Sequence, residues 1–200
     1  SNDIIPENPK LLWRFQADSK IVATPIASVS RIFFVTDKGT AYALTLAGEK
    51  QWSQSLAAKN PSNTTSVIAP LSLMEESIVG VTLRGDVVRL EANTGNIIWT
   101  HNTEGPISTA ATWFRPEGGP GRVIVINQFS GRLRALDLDN ANIIWETAGA
   151  GRTDGSLTLS NGKLIFGSCV AAIHTVSPID GTVESLIPLG EGAEIAGGVS

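Results

Sequence analysis

Cys169, His101 and His174 carry the side chains of this chain best suited to nucleophilic or acid–base chemistry. A thiolate needs an imidazole and an acid beside it to act as a nucleophile. Cys169 stands in the phrase FGSCVAAIH, and no histidine–acid pair can be assigned to it. It is expected to be a small buried residue. As the only cysteine, it can form no internal disulfide and offers no thiolate pair to zinc. His101 and His174 are the only histidines, and their separation gives no metal-ligand spacing. His174 follows Ile173 in a strand-like phrase and is expected to be an ordinary packed or edge histidine. The run DLDNAN (137–142) alternates acids as a calcium loop does. It lacks that loop's central glycine and terminal glutamate, so it reads as a solvated turn. The glycines of GGPG (118–121) and GEGAEIAGG (190–198) do not lie between a strand and a helix, which argues against a phosphate cradle. Asn63-Thr64-Thr65 matches a glycosylation sequon. No catalytic, cofactor-binding or metal-binding residue is assigned on these grounds, and no cofactor is expected.

The elements that would have to position any site are legible in composition and period. Charged residues make up 17% of the 200 residues, hydrophobic ones 42%, and glycine numbers 20, the profile of a compact, turn-rich globular chain. With 15 basic against 19 acidic side chains the net charge is -4. No basic block or stripe exists to attract a phosphate backbone, so nucleic acid is not an expected partner. No apolar run approaches the roughly 18 residues of a membrane helix. The N-terminus shows no charged-then-apolar signal region. Ser1-Asn2 reads as a cleavage remnant, and residues 1–10 are set apart from the rest.

Residues 11–200 read as repeats. The phrases GTAYALTLAGEKQW (39–52), GDVVRLEANTGNIIW (85–99) and GRLRALDLDNANIIW (131–145) align by a turn position four residues before a tryptophan: Gly48 and Trp52, Gly95 and Trp99, Ala141 and Trp145. A fourth copy keeps Gly181 but has Ser185 in the tryptophan place, and Trp13, in LLWRF, opens the series. The tryptophans step by 39, 47 and 46 residues from Trp13 to Trp145, a period of propellers and solenoids. The units run approximately over 14–52, 53–99, 100–145 and 146–186, with the start of a fifth at 187–200. Within each, a first apolar phrase (ATPIASV, IAPLSLM, STAATWF, DGSLTLS and, at the end, IAGGVS) precedes a run such as RIFFVT or RVIVIN, then an alternating third run containing YAL, VRL, RAL or IHTV. The fourth is expected to begin at the tryptophan. Short, β-branched, turn-bounded segments are strands, and four per repeat make an all-β propeller blade. One blade cannot cover its own apolar faces and must stack on neighbours. A flat indole at one place per blade fills the gap between sheets, its ring nitrogen finding an acceptor.

Ala135, Asp137 and Trp145, with Ala141 in the glycine place, resemble the Ala-x-Asp-x-x-x-Gly-x-x-x-Trp docking pattern of the PQQ-like, BamB-like β-propellers. Glu91, Gly95 and Trp99 repeat it. Ala43, Gly48 and Trp52 do so one residue short, with Thr45 near the acidic place, while the fourth copy carries Ser177 and Ser185 instead. The resemblance covers nearly everything from Trp13 onward. The family includes quinoprotein dehydrogenases and outer-membrane assembly lipoproteins, and the fold alone does not choose between them. The dehydrogenases place adjacent cysteines against the cofactor and a tryptophan beneath it. Here Cys169 is followed by Val170, and Trp113, the candidate floor, is followed by the loop-like FRPEGGPG. The resemblance therefore implies a non-catalytic binding scaffold in the bacterial periplasm or at the cell surface, its partner a protein, peptide or glycan. The alternative is a piece of a PQQ-dependent dehydrogenase. AAKNPSNTTS (57–66) and RPEGGPGR (115–122), longer than their counterparts, are the expected contact loops. About four complete blades are expected, as part of a seven- or eight-bladed ring. Flat terminal blade faces would then drive self-association, two copies approximating an eight-bladed ring.

Overall fold

The structure, a computed structural model, describes residues 10–57, 66–190 and 193. Sixteen strands form four antiparallel sheets, each four strands in chain order. Blade 1 holds β1 (Ile26–Ala27), β2 (Arg31–Val35), β3 (Thr40–Thr45) and β4 (Lys50–Ser55). Blade 2 holds β5 (Ser72–Met74), β6 (Ser77–Val81), β7 (Asp86–Glu91) and β8 (Ile97–Asn102). Blade 3 holds β9 (Thr112–Phe114), β10 (Arg122–Ile126), β11 (Leu133–Asp137) and β12 (Ile143–Glu146). Blade 4 holds β13 (Thr158–Ser160), β14 (Lys163–Ser168), β15 (Ala172–Val176) and β16 (Val183–Pro188). No helix occurs among the described residues.

Three details differ from the expected strands. The first apolar phrase of each unit contributes only two or three residues of ladder, because the rest crosses from one blade to the next. The fourth strand begins two residues before the tryptophan place, since every third-to-fourth ladder carries one register shift, between Ala43 and Leu44, Arg89 and Leu90, Ala135 and Leu136, and Thr175 and Val176. The extra residue of a bulge re-aims its neighbour, here the tryptophan. LLWRF, which opens the tryptophan series, has no ladder. It is held by side chains: Phe15 meets Phe34 and Tyr42 edge-on. The closing phrase IAGGVS lies outside the described residues.

Blades pack in chain order through three apolar seams. Phe33, Ala43 and Trp52 of blade 1 meet Ile78, Val88 and Leu90 of blade 2. Val79 and Val87 meet Val123, Val125 and Leu136 of blade 3. Ile124, Leu133 and Trp145 meet Leu164, Phe166 and Val176 of blade 4. Blade 1 presents its other face, Phe34, Tyr42 and Leu44, to Trp13, Phe15 and Ala17, so that face is covered.

Each indole reaches forward one unit. Trp13 Nε1 donates to Leu46 O (2.9 Å), Trp52 to Ala92 O (3.0 Å), Trp99 to Leu138 O (2.7 Å) and Trp145 to Pro178 O (3.2 Å). The ring lies on a bare Cα of the receiving turn: a Cβ on Gly48, Gly95 or Gly181 would sit 2.5–2.7 Å from the indole of Trp13, Trp52 or Trp145. All three glycines have positive φ. The residue at the acidic place holds the same turn. Asp137 Oδ1 accepts the N–H groups of Asp139 and Asn140, so DLDNAN uses that carboxylate for its own backbone.

The opposite end of the blades is laced differently. The turn after each second strand donates a backbone N–H to the incoming connection: Asp37 to Lys20 O, Leu83 to Ser66 O, Gln128 to Pro106 O and Cys169 to Arg152 O, at 2.7–3.0 Å. The same turns accept from the outgoing connection, Val67 donating to Asp37 O, Ile107 to Thr82 O and Thr153 to Gln128 O. Near the inner strands, Ser72 Oγ donates to Ala111 O and Thr112 Oγ1 to Leu157 O.

Candidate functional site

Two clefts open at the laced end, one between blades 2 and 3, the other between blades 3 and 4. They are the same place in successive seams. Ladder pairing sets Arg134 opposite Val125, and His174 opposite Phe166. The third-strand residue of each pair, with its partner, lines its cleft. Phe129 and Val170, 64% and 61% exposed at the tips of the equivalent turns, form the outer lips. Blade 1 has the same pair as Tyr42 stacked on Phe34, rings 5.1 Å apart, and blade 4 as His174 stacked on Phe166 at 4.8 Å.

The first cleft, about 300 Å³, carries the charged side chains of Glu104, Arg132 and Arg134. Glu146, on the outer strand β12, receives two guanidinium groups: Arg132 Nη1 on Oε1 at 3.0 Å, and Arg134 on Oε2. Asn127 braces the lip, its Oδ1 accepting from the N–H groups of Phe129 and Ser130. Glu104 stands on the opposite rim with φ 58, a left-handed backbone that costs a non-glycine residue energy. Its N–H is fixed by Asn102 Oδ1 at 2.9 Å.

The second cleft, about 340 Å³, is apolar apart from His174 and Thr147, with Val183 and Leu186 of the outermost strand along one side. His174 is buried and shares a 2.8 Å hydrogen bond with Ser168 Oγ, itself fully buried. No substrate reaches that hydroxyl, so the pair is a packing contact and His174 is the packed residue expected. Burial lowers its pKa below the usual histidine value. His101 is lowered in the same sense, by burial first and then by the nearby charge of Arg134.

Both histidines are therefore neutral in the fold at neutral pH. Below about pH 6.5 the unfolded chain takes up protons that the folded chain resists. Stability is thus complete above that value, falls as the pH drops through it, and levels off once the folded histidines also protonate. Urea midpoints at pH 5.5 are expected below those at pH 7.5, and His174→Tyr, which installs the blade 1 residue, should narrow the gap. An unchanged gap in that variant would remove His174 as its cause.

Cys169 is exposed, contrary to the buried place expected for it. The second strand of blade 4 ends at Ser168, and the chain turns outward there instead of continuing into the sheet. Its nearest polar side-chain partner is Asp154 Oδ2 at 3.9 Å. That carboxylate already accepts from Arg152 Nε (3.0 Å) and Gln128 Nε2 (2.8 Å), which together hold its pKa below the ordinary aspartate value. No imidazole joins them, so the thiol has no base. Trp113 lies on the innermost strand β9 and is 37% exposed. Of the two expected contact loops, 115–121 joins β9 to β10 at the indole-bearing end, and Arg115 pairs there with Glu75 at 2.8 Å. Residues 58–65 of the other, the sequon Asn63 included, lie outside the described residues. Its described flanks, Ala57 and Ser66, belong to the laced end. The cleft residues Arg132, Arg134 and Glu104 were not singled out from sequence. Their signal is the third-run position, which reads Tyr42, Val88, Arg134 and His174 once the units are aligned by ladder.

The family model described as outer membrane protein assembly factor BamB matches residues 4–181. Among solved structures, BamB from Moraxella catarrhalis superposes with a TM-score of 0.65 at 18% identity, over 88% of this chain and 52% of that one. The computationally designed Ika8 protein gives 0.70 at 13% identity, over 86% and 50%. A europium-containing methanol dehydrogenase gives 0.69 at 15% identity, over 90% and 44%. These likenesses speak for the fold, and the chain spans about half the length of the structures it matches. No curated protein matches the chain in sequence.

Proposed function

The chain belongs to the family of the outer membrane protein assembly factor BamB, and from that membership we propose that it is a non-catalytic propeller scaffold that binds protein partners in the cell envelope. The observation that carries the reading is how the polar side chains are arranged. Those with catalytic potential are engaged in hydrogen bonds within the fold or lack a partner that would activate them. His174 bonds a buried hydroxyl, and Cys169 faces a carboxylate already taken by Arg152 and Gln128. A general base must stand within hydrogen-bond reach of the proton it removes. What reaches solvent is a rigid frame with clefts and exposed apolar lips, the ordinary equipment of a binding surface.

The family description supports an envelope location, and we place the protein in the bacterial periplasm or at the cell surface. Self-association belongs to the same reading, through blade 4. Its outermost strand is exposed along its whole length, with Val183, Leu186 and Ile187 among the exposed apolar residues, whereas the side of blade 1 turned away from blade 2 is covered. Mass spectrometry of the purified protein is expected to find no stoichiometric quinone or calcium, and light scattering to find a dimer or larger species at micromolar concentration. Bound quinone with alcohol-dependent dye reduction would replace the scaffold by the dehydrogenase reading. A monomer would remove self-association alone.

A further inference from the structure

We propose that the two neighbouring clefts act together as one bipartite site for an extended peptide segment of a partner, an acidic side chain entering the cleft between blades 2 and 3 and an aliphatic one the cleft between blades 3 and 4. This deepens the scaffold reading and rests on it. Equivalent positions in successive blades put both openings at the same end of the molecule, one blade apart. A chain lying across the laced connections meets them in turn.

The chemistry of the first cleft selects a carboxylate. Glu146 is one acid facing two guanidinium groups. On the arginine side one positive charge is left over, offset only in the total by Glu104 across the cleft, together with N–H donors that a planar fork presents in pairs to carboxylates. Arg132 is the accessible one, its side chain 46% exposed against 14% for Arg134. Phe129 at the lip offers its ring to the ligand's backbone or stem. Glu104, on the other rim, repels a carboxylate placed near it and so confines the acid to the arginine side. The second cleft offers Val170, Val183 and Leu186, with the Phe166–His174 stack beneath. Its charge is zero at neutral pH, and it returns most to a side chain that leaves no polar atom unpaired. A glycan, with hydroxyls on every edge, would leave some of them unpaired in the apolar second cleft.

A random dodecapeptide display library selected on the whole chain is the probe. Enriched peptides are expected to carry Asp or Glu at a fixed distance from Leu, Ile or Val, and to bind more weakly at high salt. Arg132→Glu and Val170→Asp change exposed lips and should each weaken binding about tenfold or more, the worth of one charge-assisted hydrogen bond. Glu104→Gln should tighten it several-fold, a gain that misfolding cannot mimic. Enriched peptides without an acid, binding indifferent to all three variants, or no enrichment overturns the bipartite site. Peptides that bind elsewhere leave the scaffold reading intact, and bound quinone fails that reading without touching the clefts.

Discussion

Trp52→Ala is expected to lower the free energy of unfolding by about 3–5 kcal/mol, the range for removing a large buried aromatic side chain. Trp52 is 8% exposed, meets Phe33 at 6.0 Å between ring centroids, and donates its N–H across the seam to Ala92. Truncation leaves a hole between two sheets and an acceptor without its donor. Trp145, also 8% exposed, should behave alike. Trp113 is 37% exposed on an inner strand and should cost only about 1 kcal/mol. Urea melts with a shared slope decide the matter. Equal midpoint shifts for Trp113 and Trp52 would mean that the seam position carries no special energy.

The second large effect lies on the receiving side. Gly95→Ala puts a Cβ 2.6 Å from Trp52 Cδ2, on backbone at φ +75. Left-handed conformation costs an alanine about 1–2 kcal/mol, and overpacking a seam about 1–3 more, so a loss of about 2–5 kcal/mol is expected. The protein already contains one such substitution. Ala141 holds φ 62 at the place where Gly95 and Gly181 stand, its N–H bonded to Asp137 O as theirs are to Glu91 O and Ser177 O. The indole of that seam, Trp99, is the one among Trp52, Trp99 and Trp145 that is only partly buried. Arg89, in the place of Ala43 and Ala135, crowds it further and shares its acceptor, Leu138 O. Ala141→Gly should therefore stabilise the protein by about 1 kcal/mol and shift Trp99 fluorescence to the blue. A destabilised Ala141→Gly would show that Ala141 is not the counterpart of Gly95.

These two experiments also mark how far the sequence could be read. The period, the four strands per unit and the privileged tryptophan were all legible, because each depends on local pattern. The direction of packing was not. Gly48 and Trp52 lie four residues apart and look like partners, yet Trp52 rests on Gly95 and Gly48 receives Trp13. Short separation along the chain hides the fact that the bulge turns the indole away from its own blade. The clefts were illegible for a related reason. Arg134 and His174 sit in strand phrases, where alternation shows only that a side chain faces one side. What it faces depends on the seam, and Glu146 becomes a partner of Arg132 and Arg134 only after two strands pair. Cys169 misled because FGSC continues an apolar run, whereas the ladder stops one residue before the thiol.

The forward reach of the tryptophan has a bearing on how such a chain is inherited. Each of the four tryptophan junctions is made of an indole from one side and a turn from the next unit, so blades 1 to 3 each carry one half of two junctions and both halves of none, while blade 4, with Ser185 in the tryptophan place, carries a receiving turn alone. Duplicating or deleting one of the tryptophan-bearing repeats in register restores a complete junction at the new boundary, because an indole-bearing edge meets a turn of the same geometry there. Cutting within a repeat breaks that rule. Lengthening by whole blades is therefore a neutral step for the seams, and Ala141 with Arg89 marks a place where one junction has drifted from the common gauge without disturbing those on either side.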